Sequence, residues 1–199
     1  MATQSGKKTR LIAIIIIALL AIFFFTTYNS LVKKQEAVTK TWNNVQNDYQ
    51  RRLDLIPNLV STVKQSSEYE KDVLVKLTEA RAKAATLNVS GDATYENYQK
   101  SEAANNEVVA SANRVIAVIE KYPDIKTTTS FLRLQDQLEG TERRIKFSRN
   151  DFNNAVMAYN KTVRSFPSSI AASLFGFKVK EGFQADMGTD KAPEINFTK

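Results

Sequence analysis

Hydrophobic positions are distributed along this chain in two different ways. From Leu11 to Val32 they are almost continuous: LIAIIIIALLAIFFFTTYNSLV carries no charged side chain over 22 positions. A helix of that length, at about 1.5 Å per residue, reaches roughly 33 Å, enough to cross the hydrocarbon core of a bilayer. Beyond Val32 the apolar residues instead recur at alternating steps of about three and four, which predicts amphipathic helices. The first such seam is Leu31, Gln35, Val38, Trp42, Val45, Tyr49, Leu53 and Ile56, and it continues the apolar segment without a break as far as Pro57. Proline has no backbone donor and disfavours helical geometry in the residue before it. A second helix is therefore expected to start near Asn58 and to run through Val63, Glu70, Val73, Leu77 and Ala80 to about Leu87. NVSGD (Asn88–Asp92) reads as a loop. The third seam is Tyr95, Tyr98, Glu102, Asn105, Val109, Ala112, Ile116 and Ile119, ending at Tyr122-Pro123. The fourth helix, capped by Asp124 or Thr127, carries Phe131, Leu134, Leu138, Thr141, Ile145, Phe152, Val156, Tyr159, Val163 and Phe166. Gly140 marks a candidate bend in it, and Pro167 ends it.

The predicted fold class is all-α: an N-terminal transmembrane helix continuing into an antiparallel up-and-down four-helix bundle. No segment of the soluble part alternates with period two, so no sheet is expected. The expected organisation is a basic N-terminal tail (1–10), the transmembrane helix (11–32), the bundle (33–167) and a C-terminal tail (168–199). In that tail SSIAASLFGF suits one short helix, and the remainder reads as loosely ordered. A cleaved signal peptide also has a basic start and an apolar stretch, but this stretch is long for one and no A-x-A site follows. A core helix is the other alternative, but the unbroken Ile and Phe run has no polar face of the kind that helices of a small bundle show. Lys7, Lys8 and Arg10 precede the segment and Lys33, Lys34 and Lys40 follow it, so the positive-inside bias assigns no side to the bundle. The expected location is the cell membrane, crossed once.

Composition removes chemistry rather than adding it. There is no cysteine and no histidine, hence no thiolate, no disulfide, no imidazole base and no imidazole metal ligand. A di-iron bundle site of the Glu-x-x-His kind is excluded. Glu139 and Glu142 are three apart on one predicted helix, but no nucleophile or oxyanion donor accompanies them, so no catalytic residue, cofactor or metal is assigned. The net charge is +7, of which the first ten residues supply three positive charges. The mild excess elsewhere lacks the dense basic stripe of a nucleic-acid binder, so no nucleic-acid partner is expected. RRIKFSR (Arg143–Arg149) holds four basic residues and reads as a solvated helix face, with anionic headgroups as the alternative.

One repeat needs its own reason. SRNDFNNAVMAYNKTVRSFP pairs an aromatic with Asn at Phe152-Asn153 and again seven residues later at Tyr159-Asn160. Phe152, Val156, Tyr159, Val163 and Phe166 form one apolar seam, and the amides sit beside it. Asn is a weak helix former, so these two are expected to bond across to a neighbouring helix and fix register. Arg52 and Asp54 lie just before Pro57, while Glu142 and Arg149 share a face of the fourth helix. If helices one and four are neighbours, Arg52 can pair with Glu142. A structural polar network of Arg52, Asp54, Glu142, Arg149, Asn153 and Asn160 is the candidate site.

YNSLV after the apolar helix, RRLDLIPNLV, KLTEARAKA, YPDIKTTTSFLRLQDQLEGTERRI and SRNDFNNAVMAYNKTVRSFP occur in an order that resembles the LemA family of bacterial membrane proteins. The resemblance spans about Tyr28 to Phe183. The matching positions include Asn29, Arg52, Asp54, Pro57, Asn58, Arg81, Gln135, Glu142, Arg149, Asn153 and Asn160. Phe152 departs from the family, which often has Tyr there. The resemblance implies a single-pass anchor and a four-helix bundle and implies no enzyme activity. The leading expectation is thus a non-enzymatic scaffold or interaction module whose partners are the lipid bilayer and other membrane or membrane-associated proteins, or itself. The alternatives are a ligand-binding or sensory module with a polar and aromatic cavity, and a secreted factor released by signal cleavage.

Overall fold

The computed structural model of the chain describes residues 3–64, 71–88, 94–122 and 126–183. They form five helices: α1 (Thr3–Lys64), α2 (Lys71–Asn88), α3 (Tyr95–Ile119), α4 (Thr129–Arg164) and the short α5 (Ser168–Leu174). No strand occurs among the described residues. Beyond its apolar stretch, α1 packs antiparallel to α4. Lys34 Nζ donates to Thr162 Oγ1 near one end of the pair, and Arg52 Nη2 bonds Glu142 at 2.6 Å further along. α2 runs back along α1, α3 returns along α2, and α4 descends again, which is the expected up-and-down order.

α1 is one unbroken helix of 62 residues and does not stop at Pro57. This overturns the expected start of a second helix near Asn58; Val63 belongs to α1, and Glu70 lies outside the described residues. The physical reason is local. Without its N–H, Pro57 deprives the Leu53 carbonyl of its intrahelical donor. Arg81 of α2 replaces that donor, placing Nε 3.0 Å from Leu53 O. The vacancy in α1 becomes an interhelical bond, and the proline ring itself faces solvent.

The caps also differ from expectation. Thr94 caps α3 by accepting from Asn97 N, and Thr128 caps α4 by accepting from Phe131 N at 3.3 Å. The residue with extended geometry three before Phe131 is Thr128, not Thr127; Asp124 lies outside the described residues. α4 passes through Gly140 as one helix and ends at Arg164. Ser165 is extended (φ −78°, ψ 140°), so Phe166 leaves the seam and is 83% exposed, contrary to the expected core position.

The interior is in two storeys. The storey farther from the apolar N-terminal stretch, the distal one, packs all four long helices around Leu53, Ile56, Leu59, Leu77, Val108, Val115, Ile119 and Leu134. The proximal storey, around Leu31, Val38, Trp42, Val45, Phe152, Val156 and Tyr159, is an α1–α4 hairpin. α3 contributes Tyr98 from its first turn, and the chain after α5 supplies Phe177 and Phe183. α2, only 18 residues long, covers the distal storey alone. On α3 the buried stripe is Tyr98, Ser101, Ala104, Asn105, Val108, Ser111, Ala112, Val115 and Ile119. Val109 and Ile116, expected in the core, are only half-buried. Ala110 and Ser111 lie beside Ala80 and Lys83 of α2, while Val109 and Ile116 line the gap before α4.

Candidate functional site

The two asparagines of the aromatic-Asn repeat hold the C-terminal chain. α5 closes in a Schellman turn: Phe177 N donates to Ala172 O at 2.9 Å and Gly176 N to Ser173 O at 3.3 Å. Gly176 takes φ +77°, a left-handed conformation that favours glycine. The chain then runs as a strap along α4. Asn160 Nδ2 donates to Lys180 O at 2.6 Å while Lys180 N donates to Asn160 Oδ1 at 2.9 Å. Asn153 repeats the exchange with Phe183 at 3.1 and 2.8 Å. Tyr159 Oη donates to Lys178 O at 2.9 Å. Seven helical residues advance about 10.5 Å and three extended residues about 10 Å, so a heptad of amides matches backbone groups three apart. That match accounts for the spacing. The expectation that these amides bond to a neighbouring helix is corrected: their partner is the strap. An Asn amide carries one acceptor and one donor side by side, as a peptide does, and Ala or Leu offers neither.

The strap delivers Phe183 to an aromatic cluster. Its ring lies 5.4 Å from Phe152, 6.0 Å from Trp42 and 6.1 Å from Tyr98. Trp42 and Tyr98 are themselves 4.4 Å apart. The Arg149 guanidinium stacks 4.4 Å over the Phe183 ring and pairs with Glu102 of α3. Gly182 admits this approach, since a Cβ there would lie 2.5 Å from Asn153 Oδ1. Burial pushes the Tyr98 hydroxyl well above the usual phenol range.

Between the storeys lies a layer of polar groups: Tyr49, Arg52, Glu102, Glu142 and Arg149, with Asn105, Thr141 and Ser148 buried beside them. Arg52 is 4% exposed, whereas half of the Glu142 side chain reaches solvent. Among the described residues Arg52 Nε has no hydrogen-bond partner. Tyr49 is pushed up to about 12 by burial, with Arg149 opposing. Adjacent to this layer, the gap between α3 and α4 opens into a cleft of about 350 Å³. Ile56, Val109, Ile116 and Leu138 give it an apolar wall; Arg52, Asn113, Gln135, Glu139 and Glu142 give it a polar one.

The six residues expected to form one polar network fall into two groups and an outlier. Arg52 and Glu142 pair at the cleft. Arg149, Asn153 and Asn160 serve the strap. Asp54 is exposed and accepts only from Gln50 Nε2, at 2.8 Å, within its own helix. Among the described residues no group of three or more His, Cys, Asp or Glu is placed to hold a metal ion.

The model of the LemA family matches residues 41–197. The chain belongs to the LemA family. The match begins within α1, after the apolar stretch, and extends through the strap, so the LemA unit includes the C-terminal chain as well as the long helices. The chain is 24% identical over 195 residues to magnetosome protein MamQ 2 of Paramagnetospirillum magneticum, covering 86% of this chain and 72% of that protein. It is likewise 24% identical over 200 residues to magnetosome protein MamQ of Magnetospirillum gryphiswaldense, covering 89% and 73%. Among the described residues one helix, α1, is long and apolar enough to cross a bilayer, and this LemA chain is a membrane-associated helical protein.

Sequence reasoning missed four participants. Arg81 matches a LemA motif, yet its task is set by a carbonyl 28 residues away. Glu102 reads in the sequence only as part of a seam. Gly182 and Phe183 lie in a stretch that looked loose; the usable signal was the spacing of the two asparagines, which fits an extended partner better than a helical one.

Proposed function

We propose that this LemA protein is a non-enzymatic scaffold or protein-interaction module, anchored by a single membrane span at Leu11–Val32. The observation that carries this reading is the continuity of α1. One helix is lipid-compatible over its first part and then forms the main strut of the bundle core. No proline or glycine loosens the junction, and the one proline, Pro57, is compensated by Arg81. A rod of this kind holds the bundle at a set height: Arg52 stands about 22 residues beyond Ser30, or roughly 33 Å. The α3–α4 cleft is thereby presented at a constant distance from the bilayer, as a scaffold requires.

Photocrosslinking tests it. A photoreactive residue is placed at Asn113 or Gln135 in the full chain in its native membrane. Discrete adducts of reproducible mass, to other proteins or to a second copy, are the expected result. A chain that stays monomeric and without adducts from both positions refutes the interaction reading.

A second reading, small-ligand binding, is favoured by the cleft itself, which combines an apolar wall with Arg52, Asn113 and Gln135. Under that reading a metabolite and lipid library contains compounds that raise the Tm of the full chain. Substitution of Gln135 by Leu then abolishes the shift. No stabilisation by any compound counts against it.

A further inference from the structure

We propose that α5 and the turn before it form a membrane seat: Phe166, Ile170, Leu174 and Phe175 dip into the bilayer interface beside the point where α1 emerges. The inference rests on the membrane-anchor reading of α1 and adds a second contact with the same bilayer.

Three observations place the seat. First, Phe166, Ile170 and Leu174 are spaced by four and are 83, 54 and 69% exposed, while Ala171 and Ala172 on the other side of α5 are buried. The small residues hold the element on the bundle and the large apolar ones face outward. Second, its depth is set by direct contact with α1. The Phe175 ring lies 6.3 Å from Phe24 and 5.1 Å from Tyr28. Counted from Leu11, Phe24 is about 20 Å and Tyr28 about 26 Å along the helix, so both fall in the last third of a hydrocarbon core of about 30 Å. α5 is thereby held at the boundary and not out in water. Third, charge is layered as the interface requires. Lys33, Lys161, Arg164 and Lys178 are exposed on the bundle side of this apolar patch, against Glu36 and Glu181. Lys33 is about 7 Å past Tyr28, within reach of headgroup phosphates. An apolar face beneath a basic rim is the arrangement by which short elements lie on anionic bilayers. A protein partner at this place would have to displace lipid from beside the span, so the occupant is the leaflet itself.

The seat has a mechanical consequence. A single helix leaves the bundle free to rotate and tilt about its anchor, whereas a second contact to one side of α1 fixes which face of the bundle looks along the membrane.

The chain has no cysteine, so single nitroxide labels can be placed cleanly. Ile170→Cys, Leu174→Cys, Ile16→Cys and Val75→Cys are labelled in the full chain and reconstituted into vesicles of phosphatidylglycerol and phosphatidylcholine. Trp42 emission verifies folding. Accessibility to oxygen is compared with accessibility to a polar nickel chelate. The expected result is oxygen preference at Ile16, Ile170 and Leu174 and chelate preference at Val75, which is 45% exposed on α2. Oxygen preference at Ile16 with chelate preference at both α5 positions overturns the seat and leaves the anchor standing. Chelate preference at Ile16 as well overturns both. Dipolar broadening between α5 labels, with no oxygen preference, identifies a second copy as the occupant and also overturns the seat.

Discussion

Arg81→Met should destabilise the bundle by about 2 kcal/mol, and Pro57→Ala should remove most of that penalty. The Leu53 carbonyl is the acceptor that Pro57 leaves without a donor, and Arg81 Nε supplies one at 3.0 Å. Leu53 is fully buried, so removing Arg81 strands an acceptor that water cannot readily reach. Stranding such a group costs about 1–3 kcal/mol, and a bond from a charged donor contributes about 1.5–3 kcal/mol. Methionine keeps the length of the stem, so packing loss is held small. Alanine at position 57 restores an N–H to bond Leu53 O within α1, and the Arg81 substitution should then cost only a few tenths of a kcal/mol. The coupling energy expected from the cycle is therefore about 1–2 kcal/mol. Trp42 is the single tryptophan and is wholly buried in the aromatic cluster, so its emission follows unfolding of the full detergent-solubilised chain in urea. Equal penalties for Arg81→Met in the two backgrounds would refute the reasoning, since Arg81 would then act through something other than the proline vacancy.

Asn160→Ala removes two strap bonds, each worth about 0.5–1.5 kcal/mol net, so hydrogen exchange at the Lys180 amide should quicken at least several-fold while amides in the middle of α4 stay protected. Gly182→Ala should act locally in the same assay, loosening Phe183 more than Lys180, because its Cβ meets Asn153. For the ion pair the two halves should differ: Glu142→Ala leaves Arg52 charged and buried and should cost about 2–3 kcal/mol, whereas Arg52→Met, apolar and of similar volume, should stay within about 1 kcal/mol in urea melts. Alkali should destabilise the fold, because burial raises the Tyr49 phenol to about 12 while an unfolded phenol ionises near 10. The unfolded chain releases its proton first, so the Tyr49 contribution is intact below about pH 10 and lost as pH rises toward 12. Tyr49→Phe should flatten that decline, and superimposable pH profiles of the two chains would sink the assignment.

Periodic features were legible in the sequence, and features that depend on a distant partner were not. The α1 seam from Leu31 to Ile56 and the α4 seam from Phe152 to Val163 are buried as their spacing requires, because repetition every three or four residues is a local property of the helix. Phe166 broke the pattern because the backbone turns extended at Ser165, one residue before it. Pro57 misleads for the opposite reason. Its local effect is unfavourable, and only a side chain from the next helix makes it tolerable. On α3 the apolar periodicity points at Val109 and Ile116, while Ser101, Ala104 and Ser111 are buried more deeply, small residues that an apolar pattern does not pick out. Of the candidate site, the pairing of Arg52 with Glu142 follows from neighbouring helices. The partners of Asn153 and Asn160 lie 20–30 residues downstream in a stretch without periodicity.

The strap explains how a bundle with a short α2 closes its proximal storey. α2 as far as Asn88 covers only the distal core, and on Trp42, Tyr98 and Phe152 it is Phe183 of the strap that packs. A further helix there would have to share the end of the bundle where Phe175, just past α5, already packs on Phe24 and Tyr28. An extended segment needs no lateral room of that kind, but it brings backbone donors and acceptors to a helix surface that has none to offer. Asn153 and Asn160 supply them at the rise that matches, and Phe183 covers the rings. The arrangement ties the seat to the charged layer. α5 leads directly into the strap, Phe183 of the strap lies under Arg149, and Arg149 pairs with Glu102 of α3, one wall of the cleft. A change in how α5 meets the bilayer therefore has a continuous path of contacts to the α3–α4 gap, and the Asn160→Ala chain, which cuts that path midway, separates the two ends without touching either.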